Sequence, residues 1–255
     1  MLNLIIHNKT DEQTQKLNEI MKNGAGLFAE AQAGEACYAD SQGWLDTKEW
    51  AGEDTLSHIE ALAQEIRERA DAFVLIGVGG SNNAARSVVE ALKQDDAPEI
   101  IYAGNTLSPH ALKQMLKKLK GKSIYIDCIA KNFETLEPGS SFRILREYME
   151  AEYGKEEAAR RTIAVGTTGS SLEELCTKYG YTFLEFPLNI GGRYTAMTNV
   201  GLLPMAVAGI DIRALVKGAN DMQIRVHEES AEENIAYEYA CLRNLFYKEG
   251  YRVEM

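Results

Sequence analysis

The feature that most constrains the fold is an alternation of short apolar runs with amphipathic helical patterns, repeated five times from residue 72 onward. The apolar runs are continuous, which is typical of strands buried on both faces. Five strand–helix units in a row predict an α/β fold, a doubly wound parallel sheet flanked by helices. The strands are expected at residues 72–78, 99–103, 123–129, 161–165 and 181–186, and the helices at residues 82–94, 108–121, 138–153, 171–179 and from near Gly192.

Helical patterns flank this alternation on both sides. Residues 54–70 carry apolar side chains on one stripe, with Asp54 as the expected N-cap. Further helices are expected at residues 11–34 and 220–249, and YRVEM at the end of the sequence is expected to begin another strand. These patterns predict three parts, which are an N-terminal helical extension, a main domain and a helical segment leading to a second domain: residues 1–45, 46–219 and 220–255.

The composition and net charge exclude some classes of binding partner. The sequence has 255 residues, 45% of them hydrophobic and 25% charged, with a net charge of −11. Because anionic polymers and membrane surfaces bind basic stripes, we expect no nucleic-acid partner and no membrane partner. A small phosphate ligand is compatible with this charge, since it needs only a few local donors.

The cysteines, the histidines and the apolar stretches together predict the compartment of the protein. The four cysteines are far apart and none forms a CxxC pair, so they are expected to be reduced and mostly buried. The four histidines are scattered, and no metal site is expected. The N-terminus lacks signal-peptide character, and the most apolar later stretch, residues 200–210, is too short to span a bilayer. We therefore expect a cytoplasmic protein.

The glycine loop in VLIGVGGSNNAAR, residues 74–86, is the first candidate ligand site. Glycines allow close backbone approach, and the amides of the following helix favour an anion. A dinucleotide fingerprint needs a third glycine, where Asn82 stands, and an acid after the second strand, which ends IYAGN. A Walker loop would need the motif GK[ST], which is absent from this loop. A small phosphate group is therefore favoured, and a tight turn without ligand remains the alternative.

Two further loops carry candidate anion donors. The loop after the third strand contains Lys131, Asn132 and Thr135, although Glu134 opposes an anion. In NIGGRYTAM, Arg193 is expected in the first turn of a helix. A cation is unfavourable at that end of the helix dipole, so the position of Arg193 suggests an anionic partner. GWLD, residues 43–46, is expected to be a connecting loop with an aromatic anchor.

Several segments together resemble the phosphoglucose isomerase family from about Gly43 to the last residue. They are VLIGVGGSNNAAR, YAGNTLSP, NIGGRYTAMTNVGLLPMAVAGIDIRALVKGA and AYEYACLRNLFYKEGYRVEM. Few other families combine GGRY, GLLP, AGID and KGA in that order. The resemblance implies a sugar isomerase (SIS) domain that interconverts glucose 6-phosphate and fructose 6-phosphate in glycolysis and gluconeogenesis. It also implies that no cofactor or metal is needed, and that homodimers share their sites.

The resemblance also implies residue roles. Arg193 would stabilise the enediolate that forms as a proton moves between C2 and C1. The family's phosphate loop begins Ser-Lys-(Ser/Thr) and continues with threonines, whereas this sequence has Ala130 and Glu134. Asn83 and Ala84 likewise replace the family's Leu and Gly. The residues that would bind the phosphate are Gly80, Ser81, Lys131, Asn132 and Thr135.

The family's catalytic base is a glutamate in a Glu-Ser-Asn-Gly-Lys motif of a second SIS domain, and no such motif occurs here. The expectation is a chain with the phosphate loops and the arginine, inactive alone, that forms a homodimer or pairs with a missing C-terminal half. One alternative is a stand-alone sugar-phosphate-binding or regulatory module. Another, suggested by the glycine loop only, is a dinucleotide-dependent oxidoreductase. His110 and His227 are assigned to surface helices.

Overall fold

The computed structural model of the chain describes residues 3–35, 37, 42–131 and 133–255. The chain divides into two compact units. The larger unit is Gly43–Ala219, and the smaller unit combines Met1–Gln42 with Asn220–Met255.

A five-stranded parallel sheet forms the centre of the larger unit, in the order β2-β1-β3-β4-β5. Since β1 has β2 on one side and β3 on the other, the order of the strands reverses at β1. The sheet confirms the predicted α/β, doubly wound fold. The strands are β1 (Ala72–Ile76), β2 (Glu99–Ala103), β3 (Ile124–Ala130), β4 (Thr162–Gly166) and β5 (Thr182–Glu185).

Helices follow the strands and form both units. Two 3₁₀ turns, Gly43–Leu45 and Gly192–Tyr194, lie in the larger unit. The helices are α1 (Asp11–Gln32), α2 (Thr47–Trp50), α3 (Glu53–Arg69), α4 (Gly80–Leu92), α5 (Pro109–Leu119), α6 (Leu136–Tyr153), α7 (Lys155–Arg160), α8 (Ser171–Tyr179), α9 (Asn199–Val207), α10 (Ile212–Glu228) and α11 (Ile235–Lys248).

The sheet separates two apolar layers, because successive side chains of a strand point to opposite faces. Phe73 and Leu75 of β1 pack in one layer with α3, α4 and α9. Val74 and Ile76 pack in the other with α5, α6 and α8. Helix α9 is buried from Val200 to Val207, which explains why this part of its sequence is apolar on all sides.

Local capping sets where the helices begin. Ser108 accepts a hydrogen bond from the amide of Ala111 at 3.3 Å, so the predicted cap of α5 is confirmed. The prediction that Asp54 caps α3 was wrong: Gly52 occupies the N-cap position, and Asp54 lies in the first turn. An acid there still interacts favourably with the positive end of the helix dipole.

The predicted long helix from near Gly192 was wrong. Gly192–Tyr194 is a single 3₁₀ turn, and α9 begins only at Asn199. Thr198 explains the late start, since its hydroxyl accepts from the Val200 amide at 3.3 Å and donates to the Thr195 carbonyl at 2.8 Å. Arg193 therefore does not lie in the first turn of a long helix, and the helix-dipole argument for an anion beside it does not apply.

In the smaller unit, α1 packs on α11 around a small apolar core. Tyr237 stacks on Phe28 with 4.6 Å between ring centroids and donates a hydrogen bond to the Met21 carbonyl at 2.6 Å. The predicted helix over residues 220–249 is interrupted, because the Asn234 side chain accepts from the Ala236 and Tyr237 amides and caps α11.

The strand predicted for residues 251–255 was wrong, since this segment has no regular structure. Tyr251 packs its ring on Phe246, with 5.5 Å between centroids. A strand needs a neighbouring strand for its hydrogen bonds, and the described residues of the smaller unit form none.

Candidate functional site

The carboxyl ends of β1 and β3 lie at the point where the strand order reverses. In open parallel sheets, ligands bind in the crevice at such a point, because the loops on either side of it diverge. The loop after β1 is the glycine loop, and the loop after β3 contains Lys131. Two of the three candidate loops therefore flank the reversal.

The glycine loop leaves donors free at the start of α4. The Gly79 carbonyl accepts from the amides of Asn82 and Asn83 at 3.2 and 2.8 Å. Gly79 has φ +61°, a left-handed conformation that favours glycine. Within the described ranges, the amides of Gly80 and Ser81 and the Ser81 hydroxyl donate to no protein acceptor. These groups can hold an anion at the positive end of the helix.

Gly80 touches the loop that follows β5. A Cβ atom at Gly80 would lie 1.6 Å from the Gly192 carbonyl oxygen and 2.9 Å from the Arg193 amide nitrogen. Only glycine allows this approach. The structure thus brings the backbone of Arg193 to the first turn of α4, next to Ser81. Among the described residues, the exposed Arg193 side chain forms no ion pair.

Lys131 connects the loops after β3 and β5. Its ammonium group donates to the carbonyls of Leu188 and Ile190, each at 3.1 Å. Nζ also lies 5.5 Å from the centroid of the Phe186 ring. An ammonium group has three donors, so one remains for a ligand. Lys131 therefore positions the segment that leads to Arg193.

Thr135 lies at the surface, at the start of α6. Thr135 is the exposed N-cap of α6, and its side chain makes no capping hydrogen bond. It lines a cavity of about 500 Å³ whose lining includes Arg143, Arg146 and Leu175 but not Ser81, Lys131 or Arg193. Asn132 lies outside the described residues.

An aromatic pair that the sequence signalled only weakly stands beside Arg193. The rings of Trp44 and Tyr194 stack with 5.4 Å between centroids. The GWLD segment indicated an aromatic anchor, but its contact could not be read from the chain order, because about 150 residues separate the two rings. Asn189 was also missed, although its carbonyl accepts from the Gly43 amide at 3.2 Å and so holds Trp44 near this loop.

The central strand β3 contains a buried carboxyl group, that of Asp127. Asp127 of β3 lies beside Leu75 and Ile163 and is fully buried. Neither of its oxygens has a hydrogen-bond partner in the described structure, and burial raises its pKa well above the ordinary value. Burial therefore disfavours the ionised form of Asp127 and keeps its carboxyl away from any surface ligand. Burial also raises the pKa of Tyr102, at the end of β2, to about 12.

The cysteines and two of the histidines differ in exposure. Cys128, Cys176 and Cys241 are buried free thiols, and Cys37 is exposed. His110 and His227 are exposed on helices. The described residues contain no group of three or more His, Cys, Asp or Glu side chains able to hold a metal ion. No helix in the described ranges is long and apolar enough to cross a bilayer.

A family profile and several curated proteins match nearly the whole chain. The sequence profile of the family described as "Phosphoglucose isomerase" matches residues 15–254. The "Glucose-6-phosphate isomerase" of Staphylococcus saprophyticus is 36% identical over 251 residues, which cover 96% of this chain and 56% of the relative. That of Staphylococcus aureus strain NCTC 8325 is 35% identical with the same coverage. The chain thus spans about half the length of the curated relatives it matches.

Solved structures agree on the fold. The hypothetical protein TT0462 from Thermus thermophilus superposes with a TM-score of 0.81 at 23% identity, covering 91% of this chain and 55% of the other. A glucose-6-phosphate isomerase from Chlamydia trachomatis superposes with a TM-score of 0.73 at 16% identity, covering 92% and 50%. At these identities the likeness shows the fold alone.

Proposed function

The chain belongs to the phosphoglucose isomerase family, and we propose that it binds hexose 6-phosphates for the interconversion of glucose 6-phosphate and fructose 6-phosphate. The observation that carries this proposal is the contact of Gly80 with the Gly192 carbonyl, which sets the free donors of α4 beside the backbone of Arg193. An anion site and a cation then lie at one edge of the sheet, where the strand order reverses.

The phosphate would bind at the start of α4. The amides of Gly80 and Ser81 and the Ser81 hydroxyl supply donors that the described residues do not use. Lys131 would add its third donor and its positive charge, and we assign Asn132 and Thr135 to the same cradle by motif. Charge-assisted hydrogen bonds of this kind are short and strong, so they fix the substrate in position.

Arg193 would act on the reacting end of the sugar. Isomerisation opens the ring, removes the C2 proton, forms an enediolate and returns a proton to C1. An exposed guanidinium without an ion-pair partner in the described structure can stabilise the enediolate oxygen. We expect the carboxylate base to come from outside these 255 residues, since the sequence has no counterpart of the family's glutamate motif.

Calorimetric titration with fructose 6-phosphate and 6-phosphogluconate tests the proposal. We expect saturable binding, and about a tenfold loss of affinity for Ser81→Ala, since one hydrogen bond to a charged group is worth about 1.5 kcal/mol or more. Ser87→Ala is the matched control, because Ser87 is exposed on the same helix and donates only to the Ala84 carbonyl. No saturable binding, or equal affinity of wild type and Ser81→Ala, would contradict the proposal.

A second candidate is a sugar-phosphate-binding or regulatory SIS module, with residues 46–219 as the domain. Ala130 and Glu134 favour it, because they remove a hydroxyl and add a negative charge in the loop after β3. This candidate predicts that another phosphosugar binds more tightly than either hexose 6-phosphate.

We further propose a cytoplasmic homodimer, or pairing with a C-terminal half. Sedimentation of the pure chain tests whether it forms the homodimer.

A further inference from the structure

A stacked aromatic pair stands at the surface of the larger unit. The rings of Trp44 and Tyr194 lie nearly parallel, with an interplanar angle of 19°. Trp44 is 41% exposed and Tyr194 is 53% exposed, so neither belongs to the apolar core. Aromatic faces left open beside polar groups are typical of ligand sites.

Backbone contacts hold the two segments that carry these rings. The Gly43 amide donates to the Asn189 carbonyl, and a Cβ atom at Gly43 would lie 2.4 Å from the Asn189 side chain. On the other side, the Tyr194 amide donates to the Gly191 carbonyl at 2.9 Å. These contacts and the mutual stacking restrict the two rings before a ligand arrives, so binding should lose less side-chain entropy.

The pair is continuous with the proposed phosphate site. Tyr194 follows Arg193 in the 3₁₀ turn whose Gly192 carbonyl touches Gly80. Lys131 holds the preceding segment through its two carbonyl contacts. A ligand held by its phosphate at α4 must extend its carbon chain over neighbouring surface. The C–H edges of that chain suit aromatic faces, whose electron density is negative.

We propose that Trp44 and Tyr194 form the surface that contacts the carbon chain of a bound hexose 6-phosphate. The pair would distinguish such a ligand from inorganic phosphate, which reaches only the donors of α4. The inference rests on the proposed function, because it places the phosphate at Gly80 and Ser81.

Tryptophan fluorescence reports on this surface directly. The sequence contains two tryptophans, Trp44 and Trp50. Trp50→Phe leaves Trp44 as the single tryptophan, and the buried Nε1 of Trp50 has no hydrogen-bond partner in the described structure to lose. We expect the emission of this variant to change saturably with 6-phosphogluconate, and to stay unchanged with inorganic phosphate at concentrations that displace 6-phosphogluconate.

Affinities measured by calorimetry complete the test. Trp44→Ala should weaken 6-phosphogluconate binding about five- to tenfold and leave inorganic phosphate binding within twofold. Trp44→Phe, which keeps an aromatic face, should retain most of the affinity and serves if the alanine variant does not fold. Tyr179→Ala is the matched control, because Tyr179 is 39% exposed and stacks on Tyr181 elsewhere in the unit.

The outcomes separate the two proposals. If 6-phosphogluconate binds the wild type and Trp44→Ala with equal affinity, and Trp44 emission does not respond, the aromatic surface is overturned while the phosphate site stands. If neither 6-phosphogluconate nor phosphate binds the wild type, both proposals are overturned. Selective loss of 6-phosphogluconate binding in Trp44→Ala, with the Tyr179→Ala control unchanged, supports the surface.

Discussion

Gly80 is the residue on which the geometry of the candidate site most depends. The Gly192 carbonyl occupies the space that any side chain at Gly80 would need, because a Cβ atom there would lie 1.6 Å from that oxygen. The contact joins the loop after β1 to the loop after β5. The contact thereby holds the donors of α4 beside the backbone of Arg193.

Gly80→Ala should therefore destabilise the fold by about 1–3 kcal/mol, the usual cost of forcing extra atoms into a packed site. It should also weaken 6-phosphogluconate binding. Gly139→Ala in α6 is the control: a Cβ there meets nothing within 4 Å, and alanine should stabilise the helix by up to about 1 kcal/mol. Urea denaturation measures both. Equal stability of Gly80→Ala and wild type would contradict the close contact.

A second single residue, Asp127, should make the free energy of unfolding depend on pH. Its carboxyl is fully buried without a partner in the described structure, and burial raises its pKa. Above about pH 4, where an unfolded aspartate loses its proton, the folded chain keeps one proton more than the unfolded chain. The free energy of unfolding should then fall as pH rises, by up to about 1.4 kcal/mol per pH unit, until the raised pKa is reached.

Asp127→Asn replaces the titrating carboxyl with an amide. The free energy of unfolding of this variant should therefore depend less on pH above about pH 4. The stability difference between Asp127→Asn and wild type should grow from pH 4 to pH 7 in urea denaturation series. A difference that stays constant over this range would show that the carboxylate is charged and stabilised in the folded state. Surface carboxylates act equally in both proteins, so the comparison isolates Asp127.

At the scale of elements, the amino end of the sheet is stabilised independently of the site. The Arg161 guanidinium precedes β4 and lies 5.0 Å and 4.6 Å from the ring centroids of Tyr125 and Tyr153. It also pairs with Glu157 at 2.7 Å, and its side chain is only 11% exposed. Its charge is thus held by two rings and a carboxylate together.

Arg161→Ala should lower the free energy of unfolding by about 2–3 kcal/mol, since it removes a mostly buried charge and leaves its partners uncompensated. Arg160→Ala is the matched control: Arg160 contacts the same Glu157 at 3.8 Å but is 69% exposed, and its loss should cost under about 1 kcal/mol. Ligand affinity should be unchanged in both. Equal stability of the two variants would contradict the network.

The sequence predicted the elements better than it predicted their ends. Continuous apolar runs located all five strands within two residues at either end, because burial on both faces leaves a strong pattern. The helix near Gly192 was wrong, since the capping of α9 by Thr198 depends on a local hydrogen bond that periodicity does not show. The short helix α7, Lys155–Arg160, was not predicted, because six residues carry too little pattern.

The candidate site was predicted in part. The glycine loop and the loop after β5 carry local signals, glycines before polar residues, that sequence reading detects. The approach of Gly80 to Gly192 joins residues over 100 positions apart, and nothing local signals it. The two carbonyl contacts of Lys131 likewise depend on how the loops fold back, and so does the cavity that Thr135 lines.

At the scale of the whole molecule, binding and turnover should separate. The chain covers 56% of the length of its S. saprophyticus relative, and we place the base outside these residues. The pure chain should bind 6-phosphogluconate but show no conversion of fructose 6-phosphate in an assay coupled to glucose-6-phosphate oxidation. Turnover that survives Arg193→Ala would indicate a contaminating isomerase. Turnover that Arg193→Ala abolishes would contradict our placement of the base.

We propose above all that a phosphate group binds at the start of α4. Amide chemical shifts of the isotope-labelled chain, followed during titration with 6-phosphogluconate, test it most directly. We predict saturable shifts concentrated at residues 79–82 and 191–193, and their loss in Ser81→Ala. Shifts confined to Arg243 and Arg252 in the smaller unit, with none at residues 79–82, would contradict the claim.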